Sequence, residues 1–286
     1  RRWAYEVKGV PKDQAKVIVC EGNFHGRTIT AISASCDPDS YGGFGPLTPG
    51  FIKVPYNDLP ALEAALSDPC VAGFLVEPIQ GEAGVVVPDP GYLKGAYEAC
   101  KRNRVLFIDD EIQTGIGRTG KMLACDHEGI RGDILILGKA LSGGMLPVSA
   151  VMADDEVMLC IRPGQHGSTY GGNPLAARVA LAALQVAVEE KLPENSARLG
   201  EMLLSELRAI RHPMLKSVRG KGLFCAMIIE PRGGKEAWDV CMALKENGLL
   251  AKPTHGDIIR LAPPLVITED QLKECIAIIR KTLDQF

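Results

Sequence analysis

The sequence lacks the features that mark membrane proteins and nucleic-acid-binding proteins. None of its apolar runs approaches the ~20 residues that a membrane-spanning helix needs. Its 32 basic and 35 acidic residues leave a net charge of −3 with no basic stripe. The composition therefore gives no support to binding of nucleic acid or of an anionic membrane. The 286 residues are enough for a sizeable core in one or two domains.

No pair among the nine cysteines has C-x-x-C spacing, so a zinc site or a redox pair has little support, and we expect no metal. Several cysteines, such as Cys225 and Cys275, lie in apolar runs and are predicted to be small buried hydrophobes. This usage fits a reducing, intracellular compartment. The chain begins at Arg1, and residues 1–5 resemble the end of a helix, so we expect sequence upstream of it. The choice between cytoplasm and mitochondrial matrix stays open.

Short apolar runs alternate with helical stretches in the first part of the chain. Runs that are apolar throughout are typical of strands buried on both faces, and their alternation with helices predicts a mostly parallel α/β sheet with flanking helices. The predicted strands are 15–20, 51–55, 71–76, 105–108, 134–137 and 148–152, and the predicted helices are 59–66, 92–101 and 173–190.

The pattern changes after the long helix 173–190, which has Asn173 as its predicted N-cap and Pro174 at its first position. We expect a large domain over 1–185 and a smaller α+β domain over 186–286. The predicted helices of the second part are 194–211, 235–247 and 269–283, and its predicted strands are 223–229, 249–253 and 258–262.

Functional side chains follow four of the predicted strands in the first part. In an open parallel sheet, ligands bind beyond the carboxyl ends of the strands. Lys139 follows one strand, beside a glycine-rich loop, and an acidic cluster at 109–113 follows another. A lysine and an aspartate at such positions indicate a pyridoxal 5'-phosphate (PLP) site, with the lysine holding the cofactor as a Schiff base. For a lone lysine, an exposed residue just past a strand would be the ordinary interpretation. The convergence of acids, an arginine and an aromatic residue at one edge favours the functional one.

Several motifs resemble the class III aminotransferases of PLP fold type I, and within that family the members that use ornithine. The resemblance covers essentially the whole chain and implies that fold. The stretches that carry it are 23–28, 77–92, 110–115, 138–139, 167–174 and 251–264.

The resemblance implies a set of cofactor contacts. Lys139 matches the Schiff-base lysine, which also moves a proton during the reaction, and a dry site would favour its neutral form. Asp110 matches the partner of the cofactor's ring nitrogen, and Gln113 the partner of its ring hydroxyl. Phe24 matches the aromatic residue that stacks on the ring, with an ordinary core phenylalanine as the alternative. Thr169 matches a phosphate contact supplied across a subunit interface, so a homodimer with shared active sites is implied.

The resemblance places two further residues, Ser168 and Glu77, in this cofactor site. For each of them, a purely structural role is the alternative. Ser168 lies beside the phosphate contact, where a turn residue is equally plausible. Glu77 is expected to shape the site near the ring without doing chemistry. Asp109 should point away from Asp110, because neighbouring residues of a strand face opposite sides. We interpret His25 and His255 as loop or packing residues.

The substrate contacts are implied in the same way. Arg260 matches the arginine that binds a carboxylate of 2-oxoglutarate, which its planar fork can engage with two parallel hydrogen bonds. Glu82 is expected to pair with Arg260 when ornithine is bound. Arg27 resembles a residue that holds the α-carboxylate of ornithine, with an exposed loop arginine as the alternative.

The implied reaction is a ping-pong transfer of the δ-amino group of L-ornithine to 2-oxoglutarate, giving glutamate 5-semialdehyde and glutamate. A sibling ω-aminotransferase, acting on acetylornithine for example, is the first alternative. A non-catalytic partner that only dimerises is the second. The family's phosphate-binding loop would precede Arg1, so we expect the chain as given to be incomplete for activity.

Overall fold

Two β-sheets organise the chain, and each lies in its own compact unit. The structure is a computed structural model that describes residues 1–286. The first unit comprises residues 1–78, 88–113 and 125–184, and the second comprises 79–87, 114–124 and 185–286. The second unit thus includes two segments that interrupt the first along the chain.

The first unit contains a six-stranded sheet in the order β2-β1-β3-β4-β5-β6. Its first five strands are parallel, and β6 pairs antiparallel with β5. The predicted mostly parallel sheet is confirmed. The strands are Lys16–Cys20 (β1), Phe51–Val54 (β2), Val71–Val76 (β3), Leu106–Asp110 (β4), Ile134–Leu137 (β5) and Ala150–Ala153 (β6).

Helices flank this sheet, and their start signals agree with the sequence. Asp58 caps the third helix by accepting the N–H of Ala61 at 2.9 Å. Asn173 caps the sixth by accepting the N–H of Ala176 at 2.8 Å. The helices are Ile29–Ala34 (α1), Pro38–Tyr41 (α2), Leu59–Leu66 (α3), Tyr92–Arg102 (α4), Asp155–Met158 (α5) and Pro174–Glu189 (α6), and residues Ala4–Lys8 form one π-helical turn.

The core of the first unit lies between its sheet and helices α3 and α4. Phe74 of β3 and Phe107 of β4 are fully buried, with ring centroids 5.9 Å apart in an edge-to-face arrangement. Leu62 of α3 and Ala96 of α4 pack in the same cluster. Burial of large apolar side chains supplies most of the driving force for folding, at ~1.5–3 kcal/mol per side chain. The strands that end in polar residues are therefore held in place by a well-packed core.

The second unit contains an antiparallel sheet in the order β7-β8-β10-β9. Its core is formed by one face of this sheet and three helices. The strands are Leu215–Lys221 (β7), Phe224–Ile229 (β8), Lys252–Thr254 (β9) and Ile258–Leu261 (β10), and the helices are Leu192–Arg208 (α7), Ala237–Glu246 (α8) and Glu269–Leu283 (α9).

A contact between two glycines fixes the turn between β7 and β8. Gly222 has φ +58°, and a Cβ on it would lie 2.4 Å from the carbonyl carbon of Thr119. A Cβ on Gly200 of α7 would lie 2.2 Å from the backbone of Gly222. Both positions therefore require glycine, since any side chain would collide with backbone atoms. Across the chain, no helix has both the length and the apolar character needed to cross a bilayer.

Candidate active site

The parallel strands of the first unit direct four polar segments to one edge of their sheet. Because β1, β3, β4 and β5 are parallel, their carboxyl ends lie on the same side. Glu77 follows β3, Asp110 ends β4, Lys139 follows β5, and Phe24 and His25 lie in the loop after β1. The four segments therefore lie at one edge of the sheet.

Asp110 is buried and receives one hydrogen bond at each carboxylate oxygen. The backbone N–H of Ile112 donates to Oδ1 at 3.2 Å. Nδ1 of His25 lies 2.6 Å from Oδ2, and both side chains are only 5% exposed. Sequence reasoning placed His25 among the loop and packing residues and missed this contact, because the two residues are 85 positions apart in the chain.

Glu77 orders the loop that carries Phe24. Its Oε1 accepts the backbone N–H of Phe24 at 2.8 Å, and its side chain is buried. The guanidinium carbon of Arg27 lies 5.4 Å from the centroid of the Phe24 ring, a cation–π distance. Glu77 therefore acts on the backbone of the loop, while one face of the Phe24 ring contacts the exposed Arg27.

Lys139 has an unusual backbone conformation. It is the first residue of a short 3₁₀ turn, Lys139–Ser142, and has φ +42°. A non-glycine residue in this region is uncommon and stores strain, which is often found at functional sites. Lys139 is exposed in the single chain.

The remaining predicted cofactor residues lie in two other segments of the first unit. Gln113 is half-buried and lies three residues past the end of β4. Ser168 and Thr169 lie in an exposed loop, where Oγ of Ser168 accepts the N–H of Gly171 at 3.0 Å. This is the local bond of a turn residue, the alternative that the sequence left open for Ser168.

Glu82 and Arg260 form an ion pair within the second unit. Nη1 of Arg260 lies 2.7 Å from Oε1 of Glu82, and the two side chains are 15% and 23% exposed. Nζ of Lys252 lies 3.4 Å from the other carboxylate oxygen. Oγ1 of Thr254 donates to the backbone carbonyl of Glu82 at 2.8 Å. The loop around Glu82 is thus held by its backbone, independently of the ion pair.

A buried acidic cluster on the other side of β4 was not predicted. Ligand-type atoms of Asp109, Glu111 and Cys125 all lie within 4.8 Å of one another, and Asp109 Oδ1 has no hydrogen-bond partner. Burial, followed by the charge of Glu111, raises the pKa of Asp109 well above its ordinary value. Burial and the nearby Asp109 likewise raise the pKa of the Cys125 thiol. The raised pKa values favour the protonated forms of Asp109 and Cys125.

The match to a known family rests on nearly the whole sequence. The family model described as aminotransferase class III matches residues 1–283. This chain belongs to the class III aminotransferases. The parallel sheet with flanking helices, followed by a separate antiparallel sheet, is the fold of this family.

Individual relatives of this class III aminotransferase agree with the family match. The mitochondrial ornithine aminotransferase of Rattus norvegicus is 61% identical over the whole chain, which spans 65% of that protein. A structure of ornithine aminotransferase from Toxoplasma gondii, with partial occupancy of PLP at its active site, is 52% identical with a TM-score of 0.97, covering 99% of this chain and 67% of that one. An acetylornithine aminotransferase from Elizabethkingia anophelis is 54% identical with a TM-score of 0.88, covering 100% of this chain and 69% of that one. This chain thus spans just under two thirds of the length of the rat relative.

Proposed function

We propose that this protein is a PLP-dependent ω-aminotransferase that moves the δ-amino group of L-ornithine to 2-oxoglutarate, giving glutamate 5-semialdehyde and glutamate. The observation that carries the proposal is the buried Asp110 carboxylate, held at the sheet edge that Lys139 also adjoins. The rat and Toxoplasma relatives named ornithine aminotransferase support the choice of substrate.

The residues at this edge fit PLP in chemistry. Asp110 offers a carboxylate to a protonated ring nitrogen, because each of its oxygens has accepted only one hydrogen bond and retains a lone pair. Lys139 offers a primary amine to an aldehyde. Gln113 would donate to the ring hydroxyl, and Phe24 would pack on the ring. When bound, PLP supplies an electron-withdrawing ring that stabilises negative charge on the reacting substrate carbon.

The protein's own groups would perform the proton transfers. Nζ of Lys139 would move a proton from the substrate carbon that bears the amine to the aldehyde carbon of the cofactor, a general acid–base role. Glu77 would hold the loop that carries Phe24 through the bond to its N–H. Thr169, with Ser168 beside it, would bind the phosphate of the cofactor in a neighbouring subunit.

The Glu82–Arg260 pair would select between the two substrates. Arg260 suits a carboxylate of 2-oxoglutarate, and Glu82 neutralises it while ornithine reacts. The 2.7 Å contact and the partial burial of both side chains support this role. Arg27 would bind the α-carboxylate of ornithine, and its exposed guanidinium beside Phe24 is accessible for that contact.

A homodimer with shared active sites is part of the proposal. Several large apolar side chains of the first unit are exposed on and near β6 and α6, as expected for a surface that a second subunit would cover. They are Met145 (81%), Val151 (58%), Leu175 (65%) and Leu181 (58%). The name of the rat relative favours the mitochondrial matrix over the cytoplasm.

Acetylornithine aminotransferase activity is the second candidate. It is favoured by the Elizabethkingia structure, which is as similar in sequence as the Toxoplasma enzyme. The two candidates differ in whether the α-amino group of the substrate is free or acetylated.

The test is the absorbance spectrum of the full-length protein with PLP, recorded before and after addition of L-ornithine or N-acetylornithine. We expect a visible band that L-ornithine removes and 2-oxoglutarate restores, and borohydride should trap PLP covalently on the wild type. Lys139→Ala should lose the trapping, whereas Lys94→Ala, which removes an exposed lysine of α4, should keep it. A band that only N-acetylornithine removes would favour the second candidate. Trapping that persists in Lys139→Ala would overturn the role of Lys139.

A further inference from the structure

Arg118 lies beside the ends of strands β8 and β10 in the second unit. Its Nη1 donates to the backbone carbonyls of Leu223 at 2.9 Å and of Pro263 at 2.6 Å. Leu223 directly precedes β8, and Pro263 lies two residues past the end of β10. Burial lowers the pKa of the guanidinium to about 10, so it remains charged at neutral pH. Both contacts are therefore charge-assisted hydrogen bonds, which are stronger than those between neutral groups.

The two carbonyls mark the point at which the pairing of these strands stops. Leu261 pairs with Cys225 in the antiparallel ladder. Two residues further on, the same register places Pro263 opposite Leu223. Pro263 has no N–H to donate, and the N–H of Leu223 is bound to Oγ of Ser196 at 3.0 Å. No backbone hydrogen bond can join this pair, and the guanidinium joins the two chain segments instead.

Arg260 is carried by the strand end that the guanidinium holds. It pairs with Ala226 of β8 on one side and with Lys252 of β9 on the other. Its Nη1 lies 2.7 Å from Oε1 of Glu82, in the same unit. The register of a strand fixes the face on which each side chain lies, and a slip of one residue turns it to the other face. A hydrogen bond three residues further along the chain therefore limits how far Arg260 can move.

We propose that Arg118 is a positioning residue for the carboxylate of glutamate and 2-oxoglutarate: by joining the ends of β8 and β10, it holds Arg260 where that carboxylate binds. The inference rests on the proposed role of Arg260 and adds a residue that does not touch the substrate. Arg118 acts through the backbone of β10.

The two amino donors separate this role from a purely structural one. Glutamate brings a carboxylate to Arg260, whereas ornithine, whose α-carboxylate is assigned to Arg27, does not need that arginine. The readout is the ratio of kcat/KM for glutamate to kcat/KM for ornithine, measured on the full-length protein with PLP. General damage to the fold or to the cofactor site lowers both values and cancels in the ratio, so the ratio reports how well Arg260 is placed.

The first variant removes the guanidinium and keeps the length of the side chain. Arg118→Met should lower the ratio about 10-fold, since misplacing a binding group by about 1 Å can cost up to two orders of magnitude. Arg118→Lys, whose ammonium can still donate to both carbonyls, should restore most of the ratio. Arg280→Met is the matched control: it removes an exposed arginine of α9 that is paired with Glu206, and should leave the ratio unchanged.

A double mutant shows whether Arg118 acts through Arg260. Arg260→Met alone should lower the ratio about 10- to 100-fold, the range for a hydrogen bond to a charged group. Adding Arg118→Met should lower it no further, because the residue that Arg118 positions is already gone. A second loss of about 10-fold in the double mutant would overturn the inference.

The outcomes distinguish this inference from the proposed function. An unchanged ratio in Arg260→Met would overturn the proposed selection between substrates and the inference with it. A lowered ratio in Arg260→Met, with an unchanged ratio in Arg118→Met, would overturn the inference alone.

Ser196→Ala covers the case in which Arg118→Met does not fold. Oγ of Ser196 donates to the carbonyl of Arg118 at 2.9 Å and accepts the N–H of Leu223 at 3.0 Å. Its loss loosens the contact between the same two residues while the guanidinium stays in the protein. We expect the ratio to fall about 3-fold, the effect of a hydrogen bond between neutral groups. In that case, an unchanged ratio in Ser196→Ala would overturn the inference.

Discussion

Replacing Glu82 with alanine removes the carboxylate that contacts Arg260, and the expected result is a loss of discrimination between the proposed amino donors. The change removes the 2.7 Å charged hydrogen bond between Arg260 and Glu82, whose side chains are 15% and 23% exposed. Bonds of this kind contribute ~1.5–3 kcal/mol, and partial exposure reduces the contribution to ~1–2 kcal/mol. At 1.4 kcal/mol for each factor of ten, the preference for ornithine over glutamate should fall about 5- to 30-fold.

The assay is single-turnover kinetics of each half-reaction, giving kcat/KM for ornithine and for glutamate as amino donors. The backbone should keep its place in Glu82→Ala, because Thr254 bonds to the carbonyl of residue 82, which alanine retains. Lys252→Met is the matched control: it removes a 3.4 Å contact made by a side chain that is 63% exposed, and should change the ratio less than ~3-fold. An unchanged ratio in Glu82→Ala would refute the selection role of the pair.

Three further predictions concern stability. Asp109 holds a proton in the folded state that the unfolded chain, with an ordinary pKa of 3.8, releases, so stability falls as pH rises from about 4 towards the raised folded value. Asp109→Asn removes that penalty, and in urea titrations its advantage over the wild type should grow as the pH rises above about 4; an advantage independent of pH would contradict the raised pKa. Gly222→Ala should destabilise the second unit by at least ~2 kcal/mol in thermal melts, since its Cβ would lie 2.4 Å from Thr119 and φ is +58°; a stability change below 0.5 kcal/mol would show that the turn relaxes freely. Asp58→Ala removes the cap of α3 and should cost ~0.5–2 kcal/mol, whereas Asp58→Asn should cost little because asparagine also caps well.

The elements that the sequence predicted best are those with strong local signals. Val71–Val76, Leu59–Leu66 and Glu269–Leu283 have the predicted bounds. The last of these begins at Thr268, which accepts the N–H of Gln271 in a capping box. Uniform apolar runs and capping residues act over a few positions, so they can be read from the chain alone.

The strand Leu215–Lys221 was missed because it is largely polar and lies at the edge of its sheet. Its position is set by its antiparallel pairing with β8, its neighbour in the sheet. Edge strands often carry charged residues, which hides them from a search for apolar runs. Residues 148–152 were predicted as a strand of a mostly parallel sheet, but the antiparallel pairing of β6 depends on its connection and could not be inferred.

For the site, the sequence indicated which residue types gather at the sheet edge but not their pairwise contacts. The His25–Asp110 bond joins loops far apart in the chain. The acidic cluster around Asp109 depends on Cys125 folding back against β4. Such contacts are decided by packing, which motif spacing does not describe.

The left-handed backbone at Lys139 is costly for any residue with a side chain, yet the proposed reaction needs the lysine amine at this position. Glycine adopts φ +42° without penalty, whereas other residues lose ~1–2 kcal/mol there. Lys139→Gly should therefore give a protein that is more stable than the natural one and unable to attach an aldehyde. The amine that the proposed reaction requires would therefore be held at a cost in stability.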